Sequence, residues 1–438
     1  MKKFLSAITA CIILVSVFLF VSCPNGTESD ESNSSSGSSG KSGSSSSGSS
    51  DESSTSGDVT VTISNASKSV GYSAIYIING TSKTYSEGTY TCSDEDSCVF
   101  LVINGGSLTL TDATITKSGD GTAQSSGDYY NFYGTNSAVV VVGEDSSAAL
   151  TNCSITTGAE YANAVFACDE GSITIDGIAI ETTENSSRGL YSTYSGEITA
   201  QNISISTTGA HCAALATDRG GGTVTVNYNT ATNTLSTKGD GSPCIYSTGT
   251  INLTGGSGTS TGAQAIVVES KNKVTVTDST LSGLDSSLGA IMMYQSTSGD
   301  ASDSDASSTY SSLTLSNSTI QNNSTSSSCP MIFVTNTTAK ISSDDTTYKN
   351  RSGESLGSTE YFIIAAGNTG SQRQWGTSGK NGGTLTYTSS NETLTGIVGV
   401  DSTDGASCII TEGSDCTNNT TTATVDAVDV GWFFYWQL

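Results

Sequence analysis

A strand-sized pattern that returns about every 25 residues constrains this chain more than any other feature, because self-similarity at that period is the signature of stacked repeats. Its first element appears as CVFLV from Cys98, AVVVV from Ala138, AVFAC from Ala164, GLYST from Gly189, AALAT from Ala213, CIYST from Cys244, AIVVE from Ala265, AIMMY from Ala290 and MIFVT from Met331. A turn rich in Gly, Asp and Asn follows each. The second element alternates apolar and hydroxyl residues, as at Leu108 and Leu110, Ile173 and Ile175, Val224 and Val226, Val274 and Val276, and Leu313 and Leu315. Period two reads as β-strand. A third short element follows at Ile115, Ile155, Ile178, Ile203, Leu281 and Ile320. Gly and Asn/Asp at the corners supply the positive φ that tight bends need.

Three short strands per repeat and no amphipathic helix of useful length predict an all-β, right-handed parallel β-helix of about ten rungs, spanning residues 58–425. Propeller blades need four strands and about 40 residues; a sandwich of antiparallel strands is the alternative fold. Hydrophobic residues make up 34% of the 438-residue chain, which would starve a compact globule of core. A solenoid tolerates this, because each repeat buries its apolar face on the next.

The ends read as address and accessories. Lys2 and Lys3 precede an apolar run from Phe4 to Val21, an export signal covering residues 1–22. Leu19-Phe20-Val21-Ser22-Cys23 resembles a bacterial lipobox, which implies lipidation of Cys23 and a membrane anchor; cleavage to a secreted form and an uncleaved anchor are the alternatives. Residues 23–57 are nearly all Ser, Gly, Asp and Glu after the cysteine, a disordered tether with a reach of roughly 30 Å. At the other end, residues 426–438 gather Trp432, Phe433, Phe434, Tyr435 and Trp436, as a cap on the last repeat would; membrane or partner contact is the alternative.

The segments SSRGLYSTYSGEITAQNISISTTGAHCAALATDRGGGTVTV, GDGSPCIYSTG and AIVVESKNKVTVTDSTLSG resemble a group of largely uncharacterised bacterial surface lipoproteins with a parallel β-helix, within the wider pectin-lyase-like architecture. That resemblance implies adhesin-like contact with carbohydrate or a surface protein. Many proteins of the architecture cut acidic polysaccharides, so an enzyme is the second function class. Such chemistry needs an Arg or Lys base beside Ca²⁺, or two or three carboxylates facing one groove. Neither the paired Arg pattern of pectate lyases nor the acidic and Gly-His-Gly series of polygalacturonases is present. The nearest cluster is Arg188, His211, Asp218 and Arg219, with Asp240 one turn on; the same residues also suit a structural corner. A structural envelope rod is the third class. The net charge of −25 argues against a nucleic-acid partner, which needs clustered Lys and Arg.

With the second and fourth residues of each first strand inward, the third faces out. This predicts an exposed ladder of Phe100, Val140, Phe166, Tyr191, Leu215, Tyr246, Val267, Met292 and Phe333, of which the aromatic members suit sugar stacking. The opposite phase would bury Glu269. The excursion GDGTAQSSGDYYNFYGTNS adds Tyr129, Tyr130, Phe132 and Tyr133, either as contacts or as a flap folded over the ladder. A second excursion places Asp300, Asp303 and Asp305 as candidate Ca²⁺ ligands, although a solvated acidic loop explains them too, and no cofactor is required. Asp94, Glu95 and Asp96 have the same two readings. An outward column of Thr109, Thr174, Thr199, Thr225, Thr275 and Thr314, broken at Ala149 and Asn252, resembles ice-binding arrays and is also ordinary strand composition. Beyond Cys11 and Cys23, Cys92 with Cys98 and Cys408 with Cys416 are spaced to close small disulfide loops. Cys98 and Cys244 also fit as packing residues.

Overall fold

A computed structural model describes residues 56–122, 127–285, 287–295, 309–367 and 382–428. The protein is all-β and built from long parallel sheets, with one short helix among the described residues. The repeat's first element forms most of a 14-stranded sheet. Its strands Val139–Val142, Val165–Cys168, Leu190–Thr193, Leu215–Thr217, Ile245–Ser247, Ile266–Glu269, Ile291–Tyr294 and Ile332–Thr335 follow in chain order, each parallel to the next. The second and third elements are often one bent strand, as in Ser107–Lys117, Ser147–Thr157, Ser172–Thr182 and Gly196–Thr207. The bends fall on Asp112, Asn152, Gly177 and Asn202, with φ of 53°, 52°, 80° and 56°.

Stacking puts like residues over like. Val139, Val165, Leu190, Ile245 and Ile266 meet Leu108, Ile173, Val224, Val274 and Leu313 in one continuous core. Each such side chain contributes about 1.5–3 kcal/mol by leaving water. Two strands differ in phase from the expectation. Phe100 pairs with Val139, and Leu215 pairs with Leu190 and Ile245, so both point inward. Leu101 and Ala216 take the outward places, because a slip of one residue exchanges the two faces of a strand.

One corner is built from hydrogen bonds that the alternation pattern does not reveal. The hydroxyls of Thr182, Thr207 and Thr237 donate to the carbonyls of Ser187, Cys212 and Ser242 at 2.7, 2.6 and 2.5 Å, each five residues ahead. Neighbouring repeats are tied by the same residues. Ser187 Oγ accepts from Ala162 N at 3.0 Å, Cys212 Sγ from Ser187 N at 3.1 Å and Ser242 Oγ from Cys212 N at 2.9 Å. Glycine is needed here for close approach rather than for positive φ. A Cβ on Gly239 would sit 1.8 Å from the Gly209 carbonyl oxygen.

The first strand of the large sheet, β1 (Gly57–Ile63), runs antiparallel to β2 (Lys68–Asn79). Ser73–Asn79 of β2 pairs with Ser97–Ile103, whereas the turn of this hairpin reaches far along the chain. The Ser64 and Asn65 amides both donate to the Asp169 carboxylate at 2.8 Å. The first excursion forms helix α1 (Asp128–Tyr133), closed by Gly134 at φ 69°. A Cβ there would meet the Phe166 ring at 2.6 Å. Cys23, Asp300, Asp303, Asp305 and the aromatic residues 432–436 lie outside the described residues.

Candidate functional site

The expected ladder is not an open surface. Val140, Phe166 and Tyr191 do project from the outer side of the large sheet, but β1, β2 and α1 close over them as a second core. Phe166 is 0% exposed and Tyr191 1%. Tyr130, Phe132 and Tyr133 are buried as well, while Tyr129 and Tyr246 are half-buried. The cover is latched by polar contacts. Tyr72 OH donates to the Tyr133 carbonyl and Thr193 Oγ1 to the Phe132 carbonyl, both at 2.8 Å. Farther along the sheet Val267, Met292 and Phe333 are buried with Leu288, Ile364 and Ala366. Facing outward here does not mean facing water, and Glu269 shows it. It occupies the outward column yet is fully buried, accepting hydrogen bonds from Tyr294 OH at 2.7 Å and from Tyr246 OH.

Three of the four enzyme candidates gather beneath the same cover. The Arg188 guanidinium lies 4.7 Å from the Tyr191 ring centre and donates to Asn131 Oδ1 of α1 at 2.8 Å. Asp218 accepts from Tyr191 OH at 2.6 Å and from the Arg219 amide at 2.8 Å. Arg219 lies 4.4 Å over the Phe132 ring. Burial pushes the Asp218 carboxyl up, against the opposing pull of Arg188, the Tyr191 hydroxyl and Arg219. Burial also works against the Arg188 charge, but Tyr191 and Asp218 outweigh it and hold the guanidinium protonated. With Arg188 6% and Asp218 2% exposed, this cluster is a buried polar network and not a groove lined with carboxylates.

His211 lies at a corner with φ 61°, within reach of the Arg188 charge. Burial and then the Arg188 charge lower its pKa to about 4. A depressed histidine favours folding fully above its unfolded value of about 6.5, and that contribution is lost as pH falls toward the folded value. The raised acids Asp218 and Glu392 have the opposite slope, because their folded forms hold protons longer. The difference between the protein and His211→Gln therefore isolates the histidine. Urea midpoints are expected to fall less in the variant than in the parent between pH 6.5 and 4; parallel curves would place His211 in solvent.

The cysteine expectations divide. All nine described cysteines are unbonded. Cys92 Sγ instead lies 3.6 Å from the Ser97 carbonyl, and Cys416 Sγ lies 3.1 Å from Ser389 Oγ. Burial pushes the Cys98 and Cys244 thiols up to about 12, as suits packing residues. Among the described residues no group of three acidic, His or Cys side chains is placed to hold a metal. Asp96 instead accepts from Tyr130 OH and from the Thr122 amide.

What does face solvent is the outer side of the second element. Its central column runs in register from Thr84 and Thr109 through Ala149, Thr174, Thr199, Thr225, Asn252, Thr275, Thr314 and Ser342 to Thr388 and Thr411. Each is half-buried or exposed, and none is charged. Adjacent rows of a sheet lie about 4.8 Å apart, so hydroxyl and amide groups recur along one line at that spacing. A shallow hollow of ≈ 270 Å³ lies on this face, lined by Ala149, Thr174, Asp176, Thr199 and Gln201 among others. The sequence pattern contains this column from Thr109 to Thr314, whereas Thr84, Ser342, Thr388 and Thr411 join it through strand register. No protein-family model, curated protein or solved structure matches the chain.

Proposed function

We propose that this protein is a cell-surface, right-handed parallel β-helix, anchored through a lipid on Cys23 and held off the membrane by residues 23–57. On this reading it is adhesin-like: it contacts a neutral polysaccharide through its open hydroxyl face without catalysis. The single observation that carries the reading is the uncharged, in-register column from Thr84 to Thr411 on a face that nothing among the described residues covers. A repeating donor and acceptor line suits a repeating partner, since many weak contacts made at once give avidity. The net charge of −25 selects against polyuronates and other polyanions. The lyase or hydrolase alternative has less behind it, because Arg188 and Asp218 are spent on each other, on Tyr191 and on α1.

The test is co-sedimentation of the chain from residue 24 onward with insoluble neutral and acidic polysaccharides, with product release assayed in the same tubes. Retention on a neutral polymer is expected, insensitive to Ca²⁺ and without product. Thr174→Lys with Thr199→Lys should weaken it by about tenfold or more. Product formation would reinstate the enzyme class, and silence on every polymer would favour the structural rod.

A further inference from the structure

Among the described residues the third column of strands ends before the other two. Its last member is Thr347–Lys349, paired with Thr319–Asn322. The next turn of chain passes from Thr384–Ser390 directly through Asn391 and Glu392 into Thr393–Val400, with no strand on the third side. The free edge is closed by its own chain, where Lys349 bridges to Ser355 and the Leu356 amide donates to the Tyr348 carbonyl at 3.3 Å. Beside it a hollow of ≈ 320 Å³ opens toward the interior, floored by Tyr348, Leu356, Phe362 and Leu394.

We infer that this hollow is a binding site for a single neutral sugar ring. The inference rests on the glycan-binding reading above and adds a place where one unit of the polymer is held. Three ligand classes are disfavoured by the lining. Anions meet the carboxylates of Glu392 and Asp345 with no Lys or Arg among the lining residues. A metal ion finds no lone pair on Glu392, whose oxygens already accept from Ser343 Oγ at 2.9 Å, the Thr346 amide at 3.2 Å, Tyr387 OH at 3.2 Å and Ser389 Oγ. A lipid chain meets a rim of hydroxyls at Ser355, Thr393 and Thr395. A pyranose matches both surfaces, with C–H groups toward the narrow apolar floor, where Tyr348 and Leu356 keep 7% and 8% exposure, and hydroxyls toward the rim. The volume is near the lower end for small-molecule sites, about 300 Å³, which suits one ring and not a chain.

The experiment is saturation-transfer NMR on the chain from residue 24 onward, with the methyl glycosides of glucose, galactose, mannose and N-acetylglucosamine, and with glucuronate as the anionic control. At least one neutral glycoside is expected to bind saturably in the millimolar range, and glucuronate is not. Leu356→Trp, which fills the hollow, and Thr395→Lys, at its half-buried rim, should each weaken binding by about tenfold or more. Glu144→Gln, in an exposed turn that belongs to neither the hollow nor the hydroxyl column, should leave it unchanged. Undiminished binding in both hollow variants, or no saturation by any neutral glycoside, overturns the site. Polymer retention that persists without glycoside binding would sink this inference alone. Loss of polymer retention in the face variants, with glycoside binding intact and abolished by Leu356→Trp, would support the hollow as a site separate from the face.

Discussion

Phe166→Ala is expected to lower the unfolding free energy by about 3–5 kcal/mol, read as a fall in the urea midpoint. Phe166 is fully buried, edge-on to Tyr191 at 4.9 Å between ring centres and against Gly134 at the end of α1. Truncation removes a large apolar side chain and leaves a cavity that a latched helix and a stacked sheet cannot easily close. The size of the effect discriminates between two roles. A ring on an open, sugar-stacking ladder would cost little stability on removal and would abolish glycan retention. A member of the second core costs several kcal/mol and leaves the hydroxyl face intact. If the midpoint stays in place while retention disappears, the cover formed by β1, β2 and α1 does not persist in solution.

Arg188→Met should cost about 3–5 kcal/mol as well, because it removes the charge that does most to favour the ionised form of the buried Asp218 carboxyl. The double variant with Asp218→Asn should recover much of that loss, since a neutral amide needs no counter-charge. This pair also separates structure from catalysis. In a structural network both singles destabilise and the double is partly restored, with no product at any stage. If the singles were as stable as the parent, Arg188 and Asp218 would not be coupled through burial. The Arg188 bond to Asn131 makes α1 part of the same unit, so Asn131→Ala is expected to move the midpoint in the same direction by a smaller amount.

The sequence by itself determined the all-β class and the columns of Val, Ile and Leu facing inward against Thr facing outward. Period-two alternation is a local property, and stacking repeats puts equal positions over one another, so a column visible in the text becomes a column in space. The hydroxyl column was readable for the same reason. The corner rule was also present, as Thr182 with Ser187 and Thr207 with Cys212 five residues apart, but its meaning lies in hydrogen bonds between backbone and side chain that alternation does not encode. Only the tertiary structure decided the phase at Phe100 and Leu215, because each has apolar neighbours that fit either face and only pairing with Val139 and Leu190 selects one. It alone decided that the aromatic ladder is buried. What covers an outward face is set by distant chain: Asn65 reaches Asp169 and Asn131 reaches Arg188. A strand's own residues give its two faces, and the contacts of other segments decide which of those faces meets water.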